Sequence, residues 1–297
     1  MELKIKGKVI SEPNMKRYTS MKVGGPVRYL IYPESEEGLI QAIRILNGEG
    51  IKWRMFGNGT NVIISDKGLN EALIRITKLR SLSIKEREKE ILVRVSGGYP
   101  LKRLILKLAN LGVRGLENLY SIPGTVGGAV KMNAGSFGTS ISDKIRSVKY
   151  YLSDGTLRTA NREEIDFHYR RSSFLSNTCI TEVKFCLERG EKESIMAEIE
   201  RIALERKRRH PSDMPSSGSI FKAVNGVPAW RFIEKAGLKG LRIGDACVSE
   251  KHANFIVNLG KARAQDIKDL IDRIKKEVFE KEGIVLEEEV ELWGFDA

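Results

Sequence analysis

The sequence predicts an α+β protein of two domains on three observations. Strands alternate with helices through the first third, a hairpin pattern begins near residue 145, and a Pro-, Ser- and Gly-rich break follows residue 205. At 297 residues with 41% apolar content, the chain can bury one large core or two smaller ones, and two domains is the better expectation. We place the boundary near 205, giving a first module over 1–205, itself divisible at about residue 80, and a second domain over 206–297.

Residues 28–32 read as a strand, after which Ser35 caps a helix whose apolar positions Leu39, Ala42, Ile43 and Leu46 recur at spacings of three and four; Gly48 and Gly50 stop it. Short strands at 53–56 and 62–64 bracket a glycine loop. Strands follow at 72–76, 82–84 and 91–95, and then a helix over 100–111 with Leu101, Leu104, Ile105 and Leu108 on one face. Ser153-Asp154-Gly155 is a turn signal between strands at 147–152 and 156–159, and 183–187 adds another strand. A charged helix spans 192–209. Beyond the break come a short helix around Phe232, a strand pair ending at 255–257, a helix over 264–282 with Ile267, Leu270, Ile271 and Ile274 inward, and a last strand over 284–292. That last segment, 284–297, is a candidate for return to the first module.

Two glycine-rich loops carry the chemistry. They are Gly57-Asn58-Gly59-Thr60-Asn61 and Ile122-Pro123-Gly124-Thr125-Val126-Gly127-Gly128, the second running on to Asn133-Ala134-Gly135. Glycine lets backbone N–H groups approach an anion closely, and a following helix start offers unpaired donors to a phosphate. Two such loops suggest a dinucleotide diphosphate. Neither matches the dinucleotide fingerprint or a phosphate loop ending in Gly-Lys-Ser/Thr.

The net charge of +12 is consistent with polyanionic ligands. Charge alone would also suit a nucleic-acid binder, but no aromatic residues interleave with the basic cluster Arg206-Lys207-Arg208-Arg209-His210, which closes a predicted helix. We expect no nucleic-acid partner. The first residues alternate charged and apolar side chains, so neither a signal-peptide core nor a membrane span is expected, and the expected location is the cytoplasm. Cys179, Cys186 and Cys247 are expected to be buried thiols, and His168, His210 and His252 lack metal-ligand spacing, so no metal is expected.

The loops and six further stations in this order resemble the UDP-N-acetylenolpyruvoylglucosamine reductase family, in its shorter, type II form. Besides the two loops these are Thr19-Ser20-Met21-Lys22-Val23-Gly24-Gly25, Tyr169-Arg170-Arg171-Ser172, Gly218-Ser219-Ile220-Phe221-Lys222, Ala236-Gly237-Leu238-Lys239-Gly240, Lys251-His252-Ala253-Asn254-Phe255 and Leu286-Glu287-Glu288-Glu289-Val290. The resemblance implies a two-subdomain FAD-binding module of the vanillyl-alcohol-oxidase-like type plus a C-terminal α+β substrate domain. It implies FAD as cofactor, NADPH as co-substrate and a UDP-sugar as substrate. No histidine adjoins either loop, so non-covalent FAD is expected, in contrast to the small-alcohol oxidases of the same fold. A monomer is expected.

By the same resemblance, Gly57 to Asn61 and Ile122 to Gly128 bind the cofactor, and Arg170, Ser219 and Glu289 are the catalytic residues. Arg170 has the planar donor set suited to a carboxylate, Ser219 is placed as proton donor, and Glu289 as a polarising group. From strand alternation alone, Glu289 shares a solvated face with Glu287 and Glu291. Lys239 is placed near the UDP diphosphate, and His252 at a polar substrate contact. Three departures from the family pattern stand near these residues: Ala223-Val224, His210 and Trp230-Arg231.

Overall fold

The computed structural model describes residues 3, 5–88 and 90–295. The described residues fall into two compact units, each discontinuous in sequence: one from Met1–Ser11, Arg28–Gly57 and Glu71–Glu205, the other from Glu12–Val27, Asn58–Asn70 and Arg206–Ala297. One crossing lies where the sequence suggested a boundary. The early segments join the second unit for a physical reason, since Met21, Val23 and Ile63 are buried in its core. In addition, Asp66 accepts the Ala264 and Gln265 N–H groups, both at 3.0 Å, and so caps the long helix there.

Among the described residues the first unit holds two larger sheets, besides two-stranded pairs. Its four-stranded sheet runs in the order Gly7–Ser11, Val27–Pro33, Leu69–Ile74, Trp53–Met55. The helix Glu36–Gly48 buries Leu39, Ala42, Ile43 and Leu46, the set expected from spacing, and the Ser35 hydroxyl accepts the Gly38 N–H at 3.0 Å. Gly7–Ser11 is a strand the sequence did not announce, because it sits at the sheet edge with one half-solvated face and mixed polarity. The larger sheet runs Leu157–Asn161, Ile145–Tyr151, Cys179–Arg189, Ile91–Ser96, Leu82–Glu86, and Val113–Arg114 also pairs with the eleven-residue Cys179–Arg189. Helix Leu101–Asn110 packs onto it through Leu101, Leu104, Ile105 and Leu108. The expected hairpin turns at Gly155, which takes φ +84°.

The second unit is built on an antiparallel sheet ordered Ser216–Ser219, Phe255–Asn258, Ala246–Val248, Arg242–Ile243. Helices Ala229–Lys235 and Ala264–Glu282 cover it, with Ile267, Leu270, Ile271 and Ile274 buried, and Gly283 at φ +67° ends the longer helix. The strand expected over 284–292 is confined to Glu291–Trp293, which pairs in parallel with Val62–Ile64. Residues 287–289 instead bond to 220–222, as described below.

Of the three thiols only Cys179 is buried, and burial pushes its thiol well above the usual range. Cys186 and Cys247 are partly exposed, which corrects the expectation of three buried thiols: each alternates out of a strand whose neighbours point inward. No helix among the described residues is long and apolar enough to cross a membrane.

Candidate active site

In the first unit Gly57, the first residue of one glycine loop, approaches Thr125 of the other. A Cβ added to Gly57 would lie 3.3 Å from the Thr125 hydroxyl, tighter than ordinary side-chain contact, so the absence of a side chain is what permits this approach. Thr125 caps the short helix Val126–Lys131 by accepting the Gly128 N–H at 3.2 Å. The Val126 and Gly127 N–H groups are also engaged within the protein, by Tyr99 O at 2.9 Å and Gly97 O at 2.8 Å. The expectation that this helix start offers its donors to a ligand therefore does not hold for 126–128. Among the described residues the donors left on this loop are the Gly124 and Thr125 N–H groups, with Gly124 at φ +132°.

Just past that helix, Asn133 takes φ +41° and donates its amide to His168 O at 2.9 Å, while its buried Oδ1 has no partner among the described residues. An orphaned buried acceptor is costly unless a ligand donor reaches it. Together with the glycine approach and the two backbone donors, this fits a polar, anionic cofactor such as FAD.

Arg170 lies at the tip of a hairpin in which Phe167 pairs with Ser172 and His168 with Arg171. Asn133 and the Ser172 hydroxyl, which donates to Lys131 O at 2.6 Å, fasten this hairpin to the segment following the second glycine loop. Arg170 itself adopts φ +55°, and its guanidinium carbon sits 5.0 Å from the Tyr169 ring centre. A Cβ on Gly135 would come within 3.1 Å of Arg170 Nη1. Gly135 thus leaves room for the guanidinium.

Ser219, Glu289, Lys239 and His252 all belong to the second unit, as does Asn58 to Asn61 of the first loop. Ser216 pairs with Val257 and Ser219 with Phe255, so two residues, Ser217 and Gly218, stand opposite the single Ile256. This is a β-bulge, and Gly218 at φ +77° supplies the left-handed residue it needs. Its effect is to re-aim Ser219, which is half-buried. On the far side, Glu289 donates its N–H to Ile220 O at 2.7 Å, and Lys222 donates to Glu287 O at 2.9 Å. Asn61 clasps the same stretch, giving its side-chain amide to Glu289 O at 3.1 Å and accepting the Glu291 N–H at 3.0 Å. Glu287 is exposed while Glu289 is half-buried, so the solvated face suggested by alternation is broken between them.

His252 is half-buried in a cluster of rings. Its imidazole centre lies 5.0 Å from that of His210, 4.9 Å from Phe255 and 6.3 Å from Trp230. Two of the departures noted in the sequence, His210 and Trp230, therefore pack on one side chain. Burial, joined by the positive charge of Arg206, lowers the pKa of both histidines, that of His210 to about 3. Both are neutral at pH 7. His252 Nδ1 accepts the Asn254 N–H at 3.2 Å, which assigns its own proton to Nε2. Lys239 is half-buried and paired with Glu234. Sequence reasoning quoted Asn254 within a motif but gave it no role, and it missed the His210 stacking; neither has a local signal, because each depends on a partner more than thirty residues away.

Residues 210–293 match the family described as UDP-N-acetylenolpyruvoylglucosamine reductase, C-terminal domain, and residues 27–161 match the FAD binding domain family. The chain is 43% identical over 293 residues to the UDP-N-acetylenolpyruvoylglucosamine reductase of Syntrophus aciditrophicus, covering 98% of this chain and 94% of that one. It is 41% identical over 278 residues to the enzyme of the same name from Thermotoga maritima, covering 93% and 95%. Among solved structures, the UDP-N-acetylenolpyruvylglucosamine reductase of Thermus caldophilus matches with a TM-score of 0.81 and 35% identity, over 97% of this chain and 99% of that one.

Proposed function

The chain belongs to the UDP-N-acetylenolpyruvoylglucosamine reductase family, and we infer that it reduces UDP-N-acetylglucosamine enolpyruvate to UDP-N-acetylmuramate, a precursor of peptidoglycan, at the expense of NADPH. The reaction adds one hydride and one proton across the enolpyruvyl C=C and yields NADP+. FAD, when bound, would supply the two-electron carrier between NADPH and the terminal enolpyruvyl carbon. The observation that carries this reading is the near-full-length match combined with the bonded frame in which Ser219 and Glu289 flank the single residue Ile220.

Each group has a defined task. Gly57 to Asn61 and Ile122 to Gly128 hold the cofactor, with the Gly124 and Thr125 N–H groups as its backbone donors on the second loop. Arg170 meets the enolpyruvyl carboxylate with two parallel N–H donors and balances the charge that develops on it. Ser219 gives its hydroxyl proton to the carbon that bears the carboxylate. A serine hydroxyl is a weak acid, so it can serve here only toward a strongly basic carbanion and from a fixed position. Glu289 polarises the intermediate. Neutral His252 donates from Nε2 to the substrate, and Lys239 contributes charge near the diphosphate.

The purified protein should be yellow and should release its flavin on acid precipitation. It should consume NADPH only when UDP-N-acetylglucosamine enolpyruvate is present. A flavin-containing protein that oxidises NADPH equally with and without that substrate would overturn the reading.

A further inference from the structure

Strand Ser216–Ser219 ends at the residue taken here as proton donor, yet the next three residues remain tied on both sides. On one side lie 287–289, already described. On the other, a single residue does the work of a strand. The Asn254 carbonyl accepts the Ile220 N–H at 2.9 Å. Its side-chain carboxamide then takes the Phe221 N–H on Oδ1 at 2.9 Å and returns an N–H from Nδ2 to Phe221 O at 2.8 Å. That exchange copies the double bond pair of two facing residues in an antiparallel ladder, at a point where the backbone ladder has stopped. Asn254 is 6% exposed and Phe221 is 1% exposed, so no solvent replaces these bonds if they are lost.

We propose that Asn254 is a positioning residue for the protonation step, clamping Ile220 and Phe221 so that the bulged strand holds Ser219 at a fixed angle. The proposal rests on the reading of Ser219 as proton donor. The clamp acts beside one link: the Ile220 N–H is held by the Asn254 backbone carbonyl and the Ile220 carbonyl by the Glu289 N–H, and the Asn254 side chain, bonded to both backbone groups of the adjacent Phe221, keeps that link in place. One residue thereby sets the spacing of the two groups assigned to the intermediate. A weak acid such as a serine hydroxyl depends on position more than a strong one does, and a misplacement of about 1 Å can cost on the order of 100-fold in rate.

The test uses flavin-loaded Asn254→Ala, Asn254→Asp, Ser219→Ala and the Ser219→Ala/Asn254→Ala double variant. Stopped-flow absorbance follows flavin bleaching by NADPH and, separately, reoxidation by UDP-N-acetylglucosamine enolpyruvate. Bleaching should stay within about twofold of wild type in the Asn254 variants, with reoxidation slowed roughly 10–100-fold. In Asn254→Asp the slow step should recover relative to wild type as pH falls, because only a protonated carboxyl can both accept from Phe221 N–H and donate to Phe221 O. Hydrogen exchange should quicken at the Phe221 amide in Asn254→Ala. Once the Ser219 hydroxyl is absent, removing Asn254 should slow reoxidation by less than about threefold more.

Equal slowing of both half-reactions, independent effects in the double variant, no pH recovery, or loss of bound flavin from both Asn254 variants would each overturn the proposal and leave Asn254 a folding residue. Normal reoxidation in Ser219→Ala, with Asn254 intact, would instead strike the donor assignment itself, and the proposal with it.

Discussion

Arg170 and Ser219 are both presented by a local break in β structure, but the left-handed backbone falls on the residue with the proposed role in one case and on its neighbour in the other. Arg170 carries φ +55° itself, at the tip of its hairpin, whereas Gly218 carries φ +77° and leaves Ser219 in an ordinary strand conformation. An L-residue in the left-handed region costs about 1–2 kcal/mol, and glycine avoids that cost. The Arg170 hairpin is thus held in place by other contacts, through Asn133 and Ser172, and the Ser219 bulge by its own glycine and the Asn254 clamp.

The comparison breaks most sharply at Ser219. Ser219→Ala deletes one hydroxyl and leaves the bulge unchanged, so flavin bleaching by NADPH should run at nearly the normal rate. Reoxidation by the enolpyruvyl substrate should fall by roughly 10²–10⁴-fold, about 3–5 kcal/mol of barrier, as expected for loss of a positioned general acid. If reoxidation keeps its wild-type rate, the bulge presents a structural serine and the donor lies elsewhere, with His252 the next residue to test.

Arg170→Lys keeps the charge and removes the planar pair of donors, and a flexible ammonium cannot lie against Gly135 as the guanidinium does. We expect reoxidation to slow by at least about tenfold, with bleaching by NADPH largely retained. Wild-type turnover in this variant would return Arg170 to the role of a surface arginine packed on Tyr169.

This contrast also shows what could be read from the sequence. The charged helix over 192–209 and the helix over 264–282, with its apolar period, have the bounds read from the sequence, and in the second burial of one face decides them locally. Gly218 announces a bend before Ser219. Nothing near Arg170 announces its left-handed backbone, since the contacts that enforce it come from Asn133 and Gly135, more than thirty residues away. The same reason hid the shape of 284–292: alternation of Leu286, Val290 and Leu292 suits a strand, but residues 287–289 bond to the irregular stretch 220–222 instead. Asn61 reads in the sequence as part of a cofactor loop, and in the structure it also fastens the Glu289 segment, a link across 228 positions.

The smallest expected effects test the backbone difference directly, apart from catalysis. Arg170→Gly and Arg170→Ala both remove the guanidinium, so any gap between them reports the φ +55° backbone alone. The glycine variant should be more stable by about 1 kcal/mol in denaturant unfolding of the flavin-loaded protein. The bulge should show the same preference for glycine. A Cβ at Gly218 would meet nothing within 4 Å, so Gly218→Ala adds strain without a clash and should lose about 1 kcal/mol. Its reoxidation should slow as well, because a bulge relaxing away from the left-handed region would turn Ser219 off its angle, while neither Arg170 variant should alter the exchange rate of the Phe221 amide. Equal stability of Arg170→Gly and Arg170→Ala would mean the hairpin tip relaxes freely, and Arg170 would then owe its placement to Tyr169 and Gly135 rather than to the turn.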